Sequence, residues 1–244
     1  MKLLKQFNLF LRSLIFLILF CVIIFPYSIL CLMAMIFPLR VRYAMVSGWT
    51  GWMIWLLKVT CRVDYKIEGL ENIPKDQACV VLSKHQSTWE TLILPTLFHE
   101  TAIIIKRELL WLPCFGWGLM VIDPIAINRS KKSSAMEQIL TKGKRCLEQG
   151  RCILIFPEGT RMPVGTVGNY RPGGARVAIN AGGYPIIPVA HNAGRYWPKR
   201  KFIKLPGTVH MVIGKPIETK NRQPEEVTEE VKNWIESTMK RIDG

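Results

Sequence analysis

Short apolar runs alternate with polar stretches along most of the chain from about residue 61 onward. Five runs have the length of a β-strand and are rich in Val and Ile, at 79–82, 102–105, 152–156, 186–190 and 209–213. The apolar spacing between and after them predicts helices over 91–98, 133–149, 174–181 and 225–242. This alternation predicts an α/β domain in which a mostly parallel or mixed sheet is flanked by helices.

The first 60 residues have a different pattern. No charged residue occurs from 14 to 37, and this tract is long enough to cross a bilayer. Pro26 divides the tract into two pieces, each shorter than the roughly 20 residues of a straight span, so a hairpin in one leaflet is as consistent as a transmembrane span. We therefore predict a membrane-anchoring helical segment over 1–60, followed by the α/β domain over 61–244.

Three tryptophans follow the apolar tract at intervals of three residues, at Trp49, Trp52 and Trp55. Indole side chains favour the interface between lipid and water, so this segment could lie along the lipid headgroups. A helix packed on the protein core would show a similar pattern. Both interpretations stay open from the sequence.

Composition narrows the choice of partner. The chain has 33 Lys and Arg against 18 Asp and Glu, a net charge of +15, while 49% of its residues are hydrophobic. A basic and apolar chain favours an anionic membrane surface, and no helix-turn-helix, RNA-binding aromatic motif or zinc-finger spacing supports the rival partner, nucleic acid. Seven scattered cysteines predict reduced thiols in the cytosol rather than disulfides or a zinc site.

The first candidate for chemistry is His85, which follows the predicted strand 79–82. Ser87 and Glu90 have the spacing of a capping box, which places a helix start at Ser87 and His85 just upstream of it. A carboxylate in the first turn can accept one imidazole N–H and leave the other nitrogen free to take a proton. Alternatively, Glu90 only caps the helix and His85 is an ordinary loop histidine.

A second candidate follows the predicted strand 152–156, where the sequence reads Pro-Glu-Gly-Thr-Arg. Gly159 permits a turn, after which Thr160 and Arg161 lie at the carboxyl end of the strand, where ligands bind in open α/β sheets. The planar guanidinium of Arg161 suits a phosphate. The alternative is a surface arginine that pairs with Glu158.

Two further basic stretches follow predicted strands. Lys106 and Arg107 precede a loop rich in aromatic residues and glycine at 113–118, and this combination could hold an anionic head beside an apolar tail. Solvated charges beside a packed loop would look the same. After the strand 186–190 comes His191, a competing base that we expect to be a polar loop histidine, and then the basic run 199–201, which we expect to face anionic lipid or an acidic carrier protein.

In this order, these stretches resemble the glycerophospholipid acyltransferase family, and most closely its bacterial lysophosphatidate acyltransferases. The resemblance covers roughly residues 65 to 215. It is carried by His85 with Glu90, by the blocks 106–109 and 115–117, by the string Phe-Pro-Glu-Gly-Thr-Arg at 156–161, and by the strand that ends in 187–189. The family pattern has Asp where this chain has Glu90.

The resemblance implies transfer of an acyl group from a thioester of coenzyme A or acyl carrier protein to the sn-2 hydroxyl of lysophosphatidate, without a metal or other cofactor. His85 would be the general base, oriented by Glu90. The phosphate would be held by Arg161, Thr160, Gly159, Glu158, Lys106 and Arg107. The acyl chains would lie near Phe115, Gly116, Trp117 and the N-terminal segment.

The resemblance also implies location and leaves alternatives. The partners would be lysophosphatidate, membrane lipid and the acyl thioester, and not nucleic acid, with the site on the cytoplasmic face of the inner membrane. A sibling enzyme that acts on lyso-ornithine lipid or lysophosphatidylglycerol is one alternative. A non-catalytic lipid-binding membrane protein is another.

Overall fold

A computed structural model describes residues 2–128 and 132–243. The helices are α1 (Lys2–Met33), α2 (Leu39–Cys61), α3 (Trp89–Leu97), α4 (Phe115–Val121), α5 (Lys132–Glu148), α6 (Gly173–Asn180) and α7 (Pro224–Asp243). The strands are β1 (Val63–Glu68), β2 (Val80–Ser83), β3 (Ala102–Lys106), β4 (Ile125–Ile127), β5 (Ile153–Ile155), β6 (Ile186–His191) and β7 (Gly207–Ile213). All five predicted strands and four predicted helices are present, with ends shifted by a residue or two.

The strands form one mixed sheet in the order β1-β7-β6-β2-β5-β3-β4. The strands from β6 to β4 run parallel to one another, and only the pairing of β6 with β7 is antiparallel. The carboxyl ends of β2, β3, β5 and β6 therefore lie along the same edge of the sheet. His85, Lys106 and the stretch 159–161 follow these strand ends, at the edge where ligands bind in open α/β sheets.

Helices cover both faces of the sheet. On one face, α2 and α3 pack on the strands through side chains such as Met53, Leu57 and Leu94, all at most 1% exposed. On the other face, α5, α6 and α7 bury a second cluster that includes Leu147 and Val231. The predicted N-terminal segment 1–60 and the α/β domain 61–244 therefore have a common hydrophobic core, to which α2 contributes side chains.

Helix α1 runs through Pro26 without a break, so the predicted interruption at this proline is wrong. Proline removes one backbone hydrogen bond, and a helix of 32 residues retains the bonds on both sides. The chain turns instead between Met33 and Leu39, after which α2 packs against α1 through the rings of Phe20 and Trp49, 5.5 Å apart.

Residues 3–36 are long and apolar enough to cross a membrane, and only 17% of the most apolar window is buried. Helix α2, which contains the three tryptophans, packs on the protein core with one side and is exposed on the other. Its Met53 and Leu57 face the core, while Trp52 and Trp55 are 69% and 63% exposed. An apolar surface of this kind favours contact with lipid.

Three elements were missed in the sequence. Strand β1 pairs with β7 alone at the sheet edge, and most of its side chains are not buried, so it lacks an apolar run. Strand β4 has only three residues. The two glycines of this stretch predict a loop where helix α4 forms. Only glycine fits at position 116, because a Cβ atom there would lie 2.3 Å from the carbonyl oxygen of Leu110.

Candidate active site

His85 lies in the loop between β2 and α3, and its ring meets the carboxylate of Glu90 as predicted. The His85 Nδ1 atom is 2.8 Å from Oε1 of Glu90. The same oxygen accepts the main-chain N–H groups of Gln86 and Ser87 at 2.9 and 2.8 Å. A carboxylate that accepts from Nδ1–H places the proton of the neutral ring on Nδ1 and leaves Nε2 as the basic nitrogen.

The Glu90 carboxylate is completely buried. Burial by itself would raise the pKa of this carboxyl, but the nearby imidazole of His191 and the hydrogen bonds from His85 and Ser87 outweigh it and lower the pKa. Glu90 is therefore ionised at neutral pH and stabilises positive charge on the ring of His85.

The local helix start differs from the prediction by about one residue. Helix α3 begins at Trp89, and its cap residue, Thr88, makes no side-chain capping bond. The Ser87 hydroxyl instead donates to the carbonyl of Trp197 and accepts from the N–H of Trp89. Glu90 still accepts the Ser87 N–H, which is its half of a capping box.

The loop after β5 fixes the backbone of His85 from the other side. Met162 donates its N–H to the His85 carbonyl at 2.7 Å, and the His85 N–H donates to Oε2 of Glu158 at 3.0 Å. The ring of Phe156 stacks on the imidazole with 3.9 Å between centroids. The stretches around residues 85 and 158 are thus one structural unit.

Glu158 does not lie where its grouping with the phosphate-binding residues predicted. Its side chain is fully buried, and Oε1 accepts Nζ of Lys84 at 2.7 Å and the N–H of Gly168 at 3.3 Å. The Lys84 ammonium also contacts Oε1 of Glu236 on α7 at 2.8 Å. A carboxylate with both oxygens occupied supports the loop rather than a ligand, and it is not available for the alternative pairing with Arg161.

A cavity of about 550 Å³ opens beside His85. One part of its wall is polar and basic, and is formed by His85, Lys106, Gly159, Thr160, Arg161, Lys199 and Arg200. The remaining wall is mostly apolar and comes from α1, α2, α3, α4 and the strands, with Phe20, Ile24, Val46, Trp49, Leu92, Phe115 and Leu119 among its residues. The cavity therefore joins a cationic region to an apolar one.

Not every predicted residue reaches this cavity. Phe115 lines it, whereas Gly116 is buried under Leu110 and Trp117 lies outside the lining. Lys106 lines the cavity and pairs with the exposed Glu108 at 3.3 Å. Arg107 is exposed to solvent and lies outside the lining.

His191 is not the polar loop histidine that the sequence predicted. It ends β6, is completely buried, and donates from Nε2 to the Lys84 carbonyl at 2.8 Å while Nδ1 accepts the N–H of Ala193. Burial lowers the pKa of the His191 imidazole. Because both ring nitrogens are occupied, this neutral histidine supports the loop and is no rival to His85.

Lys199 and Arg200 belong to the cavity wall, although we expected the basic run 199–201 to face a membrane or carrier protein. Lys199 Nζ donates to the Arg161 carbonyl at 2.8 Å and lies 3.3 Å from Oγ1 of Thr160. The sequence offered no sign of this position, because it depends on how the segment after β6 folds back over the sheet edge.

Known acyltransferases resemble this chain in sequence. Residues 64–192 match the family model described as Acyltransferase. The chain is 46% identical over 213 residues to the 1-acyl-sn-glycerol-3-phosphate acyltransferase of Pseudomonas aeruginosa, across 86% of this chain and 82% of that one. A chloroplast 1-acyl-sn-glycerol-3-phosphate acyltransferase of Brassica napus is 29% identical, across 72% of this chain and 51% of that one.

The fold has a counterpart among solved structures. The 1-acyl-sn-glycerophosphate acyltransferase PlsC from Thermotoga maritima superposes with a TM-score of 0.82, at 24% identity, over 98% of both chains. The extent of the family match and the identity to the Pseudomonas relative together establish that this chain belongs to the acyltransferase family.

Proposed function

We propose that this enzyme transfers a fatty acyl group from an acyl thioester to the sn-2 hydroxyl of 1-acyl-sn-glycerol-3-phosphate, which yields phosphatidate. The observation that carries the proposal is the position of His85, which is tied through Nδ1 to a buried carboxylate and lines a cavity that is basic in one part and apolar in another. Lysophosphatidate has the same two chemical features. The named activity of the Pseudomonas relative supports the same substrate.

In the proposed reaction, Nε2 of His85 removes the proton of the sn-2 hydroxyl as its oxygen attacks the thioester carbonyl. The ionised Glu90 stabilises the imidazolium that forms. The tetrahedral intermediate then expels the thiolate, which takes the proton from His85 and leaves as a free thiol. The acyl group passes directly to the acceptor, without an acyl-enzyme intermediate and without a metal.

The cations around the cavity supply the proposed phosphate site. Arg161 can donate two parallel charge-assisted hydrogen bonds to a phosphate, and Thr160 and Lys106 line the same cavity. Gly159 shapes the turn that presents them, because its N–H donates to the Phe156 carbonyl at 2.9 Å. Glu158 has an indirect part in this proposal, because it holds the backbone of His85. Arg107 has no contact with the phosphate in this proposal, because it is exposed outside the cavity wall.

The apolar wall is proposed to receive acyl chains, and Phe115 is its contribution from α4. We propose that the exposed face of α1, with Trp52 and Trp55 on α2, anchors the enzyme to the inner membrane with its site on the cytoplasmic face. The net charge of +15 would draw both anionic substrates and anionic lipid to that face. Coenzyme A and acyl carrier protein both remain candidate donors.

The test is an assay of thiol release by the purified enzyme in mixed micelles that contain lysophosphatidate and an acyl thioester. We expect release that depends on lysophosphatidate, and a loss of activity on the order of 10² to 10⁴-fold in His85→Ala. His99→Ala, which changes an exposed histidine outside the cavity wall, is the matched control. Equally slow release by wild type and His85→Ala would refute the proposal, and faster acylation of lysophosphatidylglycerol or lyso-ornithine lipid would reassign the acceptor.

A further inference from the structure

The segment after β6 carries a lysine to the proposed phosphate site from outside the matched family region, which ends at residue 192. The Ser87 hydroxyl donates to the Trp197 carbonyl at 2.7 Å, and a tight turn follows in which the N–H of Lys201 donates to the Pro198 carbonyl. The turn presents Lys199 to the cavity and leaves Lys201 exposed outside the cavity wall.

One peptide unit links Lys199 to the proposed base. The Lys199 ammonium donates to the Arg161 carbonyl at 2.8 Å, and the N–H of the same peptide unit, on Met162, donates to the His85 carbonyl at 2.7 Å. The contact of Lys199 with Thr160 Oγ1 is longer, at 3.3 Å. An ammonium has three N–H donors, so at least one remains for a ligand.

We infer that Lys199 is a further cation of the acceptor-phosphate site, beside Arg161 and Lys106, and that it gives the enzyme a preference for a phosphate monoester over a phosphate diester. This assignment deepens the proposed function and rests on it. Among the described residues that line the cavity there is no Asp or Glu, so the charge of Lys199 is available to an anion on that wall.

Distance assigns Lys199 to the acceptor rather than to the acyl donor. In lysophosphatidate, two carbons and one oxygen separate the sn-2 oxygen from phosphorus, a span of roughly 5 Å. The phosphates of coenzyme A and of the carrier-bound pantetheine arm lie at the far end of a long chain from the thioester. Lys199 is joined to the main chain of His85 through one peptide unit and lines the same cavity, so its ammonium is placed for the acceptor.

Charge explains the preference for a monoester. At pH 7 a phosphate monoester carries about −1.5 to −2 charges, whereas a diester carries a single negative charge and has one fewer terminal oxygen. Arg161 can balance one charge through a bidentate pair, whereas the charge of Lys106 is already partly balanced by Glu108 at 3.3 Å. The second charge and the third oxygen of a monoester are the features that Lys199 can recognise.

The experiment compares two acceptors, lysophosphatidate and its phosphate methyl ester, with wild type, Lys199→Gln, Lys199→Arg and the matched control Lys201→Gln. Glutamine keeps an N–H donor toward the Arg161 carbonyl and removes the charge. We expect Lys199→Gln to lower kcat/KM for lysophosphatidate about tenfold or more, mainly through KM. The kcat/KM for the methyl ester should fall much less. Lys199→Arg should retain the preference, and Lys201→Gln should leave both acceptors unchanged.

The ratio of the two activities, measured over a pH series, gives a second test. A purely structural role of Lys199 would not change how this ratio depends on pH. The second pKa of a phosphate monoester is near 6, so the wild-type ratio of monoester to diester activity should fall below about pH 6. In Lys199→Gln this ratio should change little with pH, because the cation that recognises the second charge is gone. Titration of the catalytic base affects both acceptors equally and cancels in the ratio.

The results separate this inference from the proposed function. If wild type acylates neither acceptor, the proposed activity is wrong and the assignment of Lys199 is wrong with it. If wild type acylates lysophosphatidate and Lys199→Gln weakens both acceptors equally, only the assignment fails, and Lys199 merely ties the turn to the loop at Arg161.

Discussion

Oε1 of Glu90 lies 2.8 Å from Nδ1 of His85 and also accepts two N–H groups of the loop that carries the histidine. The carboxylate thus fixes the ring and its backbone together. Its second oxygen, Oε2, is buried, makes no hydrogen bond and lies 3.8 Å from Nε2 of His191. The negative charge of the buried Glu90 carboxylate therefore lies close to two imidazoles.

The first prediction concerns this charge. Glu90→Gln should keep the size of the side chain and lose most of the activity, by about 10²-fold or more in kcat, because a neutral amide cannot stabilise the imidazolium. Glu90→Asp should retain much of the activity, since it keeps the charge and matches the residue in the family pattern. Steady-state assays of both variants, with acceptor KM measured separately, check this. Equal losses in the two variants would mean that shape, and not charge, is what His85 requires.

The second prediction concerns the phosphate site. Arg161→Ala should weaken acceptor binding by about 1.5 to 3 kcal/mol, the contribution of a charged hydrogen bond, and should appear in KM for lysophosphatidate. Arg176, an exposed arginine on α6 that pairs with Glu225, provides a matched Ala control on another surface. An unchanged acceptor dependence in Arg161→Ala would remove this residue from the site.

Much of this site could be predicted because it follows strand ends. His85, Lys106 and Arg161 each come just after an apolar run, and parallel strands bring such ends together. Lys199 follows no local signal of this kind. The basic residues around it resemble a solvent-exposed run of charges. Lys199 reaches the cavity only because Trp197 and Lys199 contact two other loops.

The fold was predictable to a similar degree and for similar reasons. Apolar runs in the sequence predict the central strands, and the helical spacing of apolar residues predicts α5, α6 and α7. Edge strand β1 was missed because its side chains are largely exposed, and α1 continues through Pro26 because its neighbouring hydrogen bonds outweigh the one that proline removes. The role of Glu158 was also hidden, because its partner Lys84 lies 74 residues earlier in the chain.

The third prediction concerns that buried ion pair. Glu158→Gln removes one of the two carboxylates that pair with the buried Lys84 ammonium and leaves Glu236, so stability should fall by about 1 to 3 kcal/mol. Because Glu158 supports the His85 backbone and does not line the cavity, the kinetic loss should appear in kcat rather than in acceptor KM. Thermal unfolding in detergent and steady-state kinetics measure the two effects.

Glu229, an exposed carboxylate on α7 that pairs with Lys232, provides the matched control for this charge change. Glu229→Gln should change stability by less than about 0.5 kcal/mol, as exposed pairs contribute little. A raised acceptor KM with normal kcat in Glu158→Gln would contradict the supporting role and return this residue to the phosphate site.

The fourth prediction concerns stability against pH, and it depends on His191. Burial lowers the pKa of this imidazole in the folded protein, while the unfolded chain titrates near 6.5. As pH falls below about 6.5, the unfolded state takes up a proton that the folded state refuses. Stability should therefore fall toward the lowered folded pKa, by at most about 1.4 kcal/mol per pH unit for this single group.

The Glu90 carboxyl affects stability in a lower pH range. Its pKa is lowered in the folded protein, so its contribution is present above the unfolded value near 4.3 and is lost only as pH falls through the folded pKa. Unfolding measured between pH 7.5 and 5 therefore avoids the titration of Glu90, and a variant of His191 separates its contribution from that of the other histidines. His191→Gln keeps a donor for the Lys84 carbonyl and cannot titrate, so its stability should depend less on pH than that of wild type across this range. Parallel curves for the two proteins would show that the buried ring of His191 is not the group responsible.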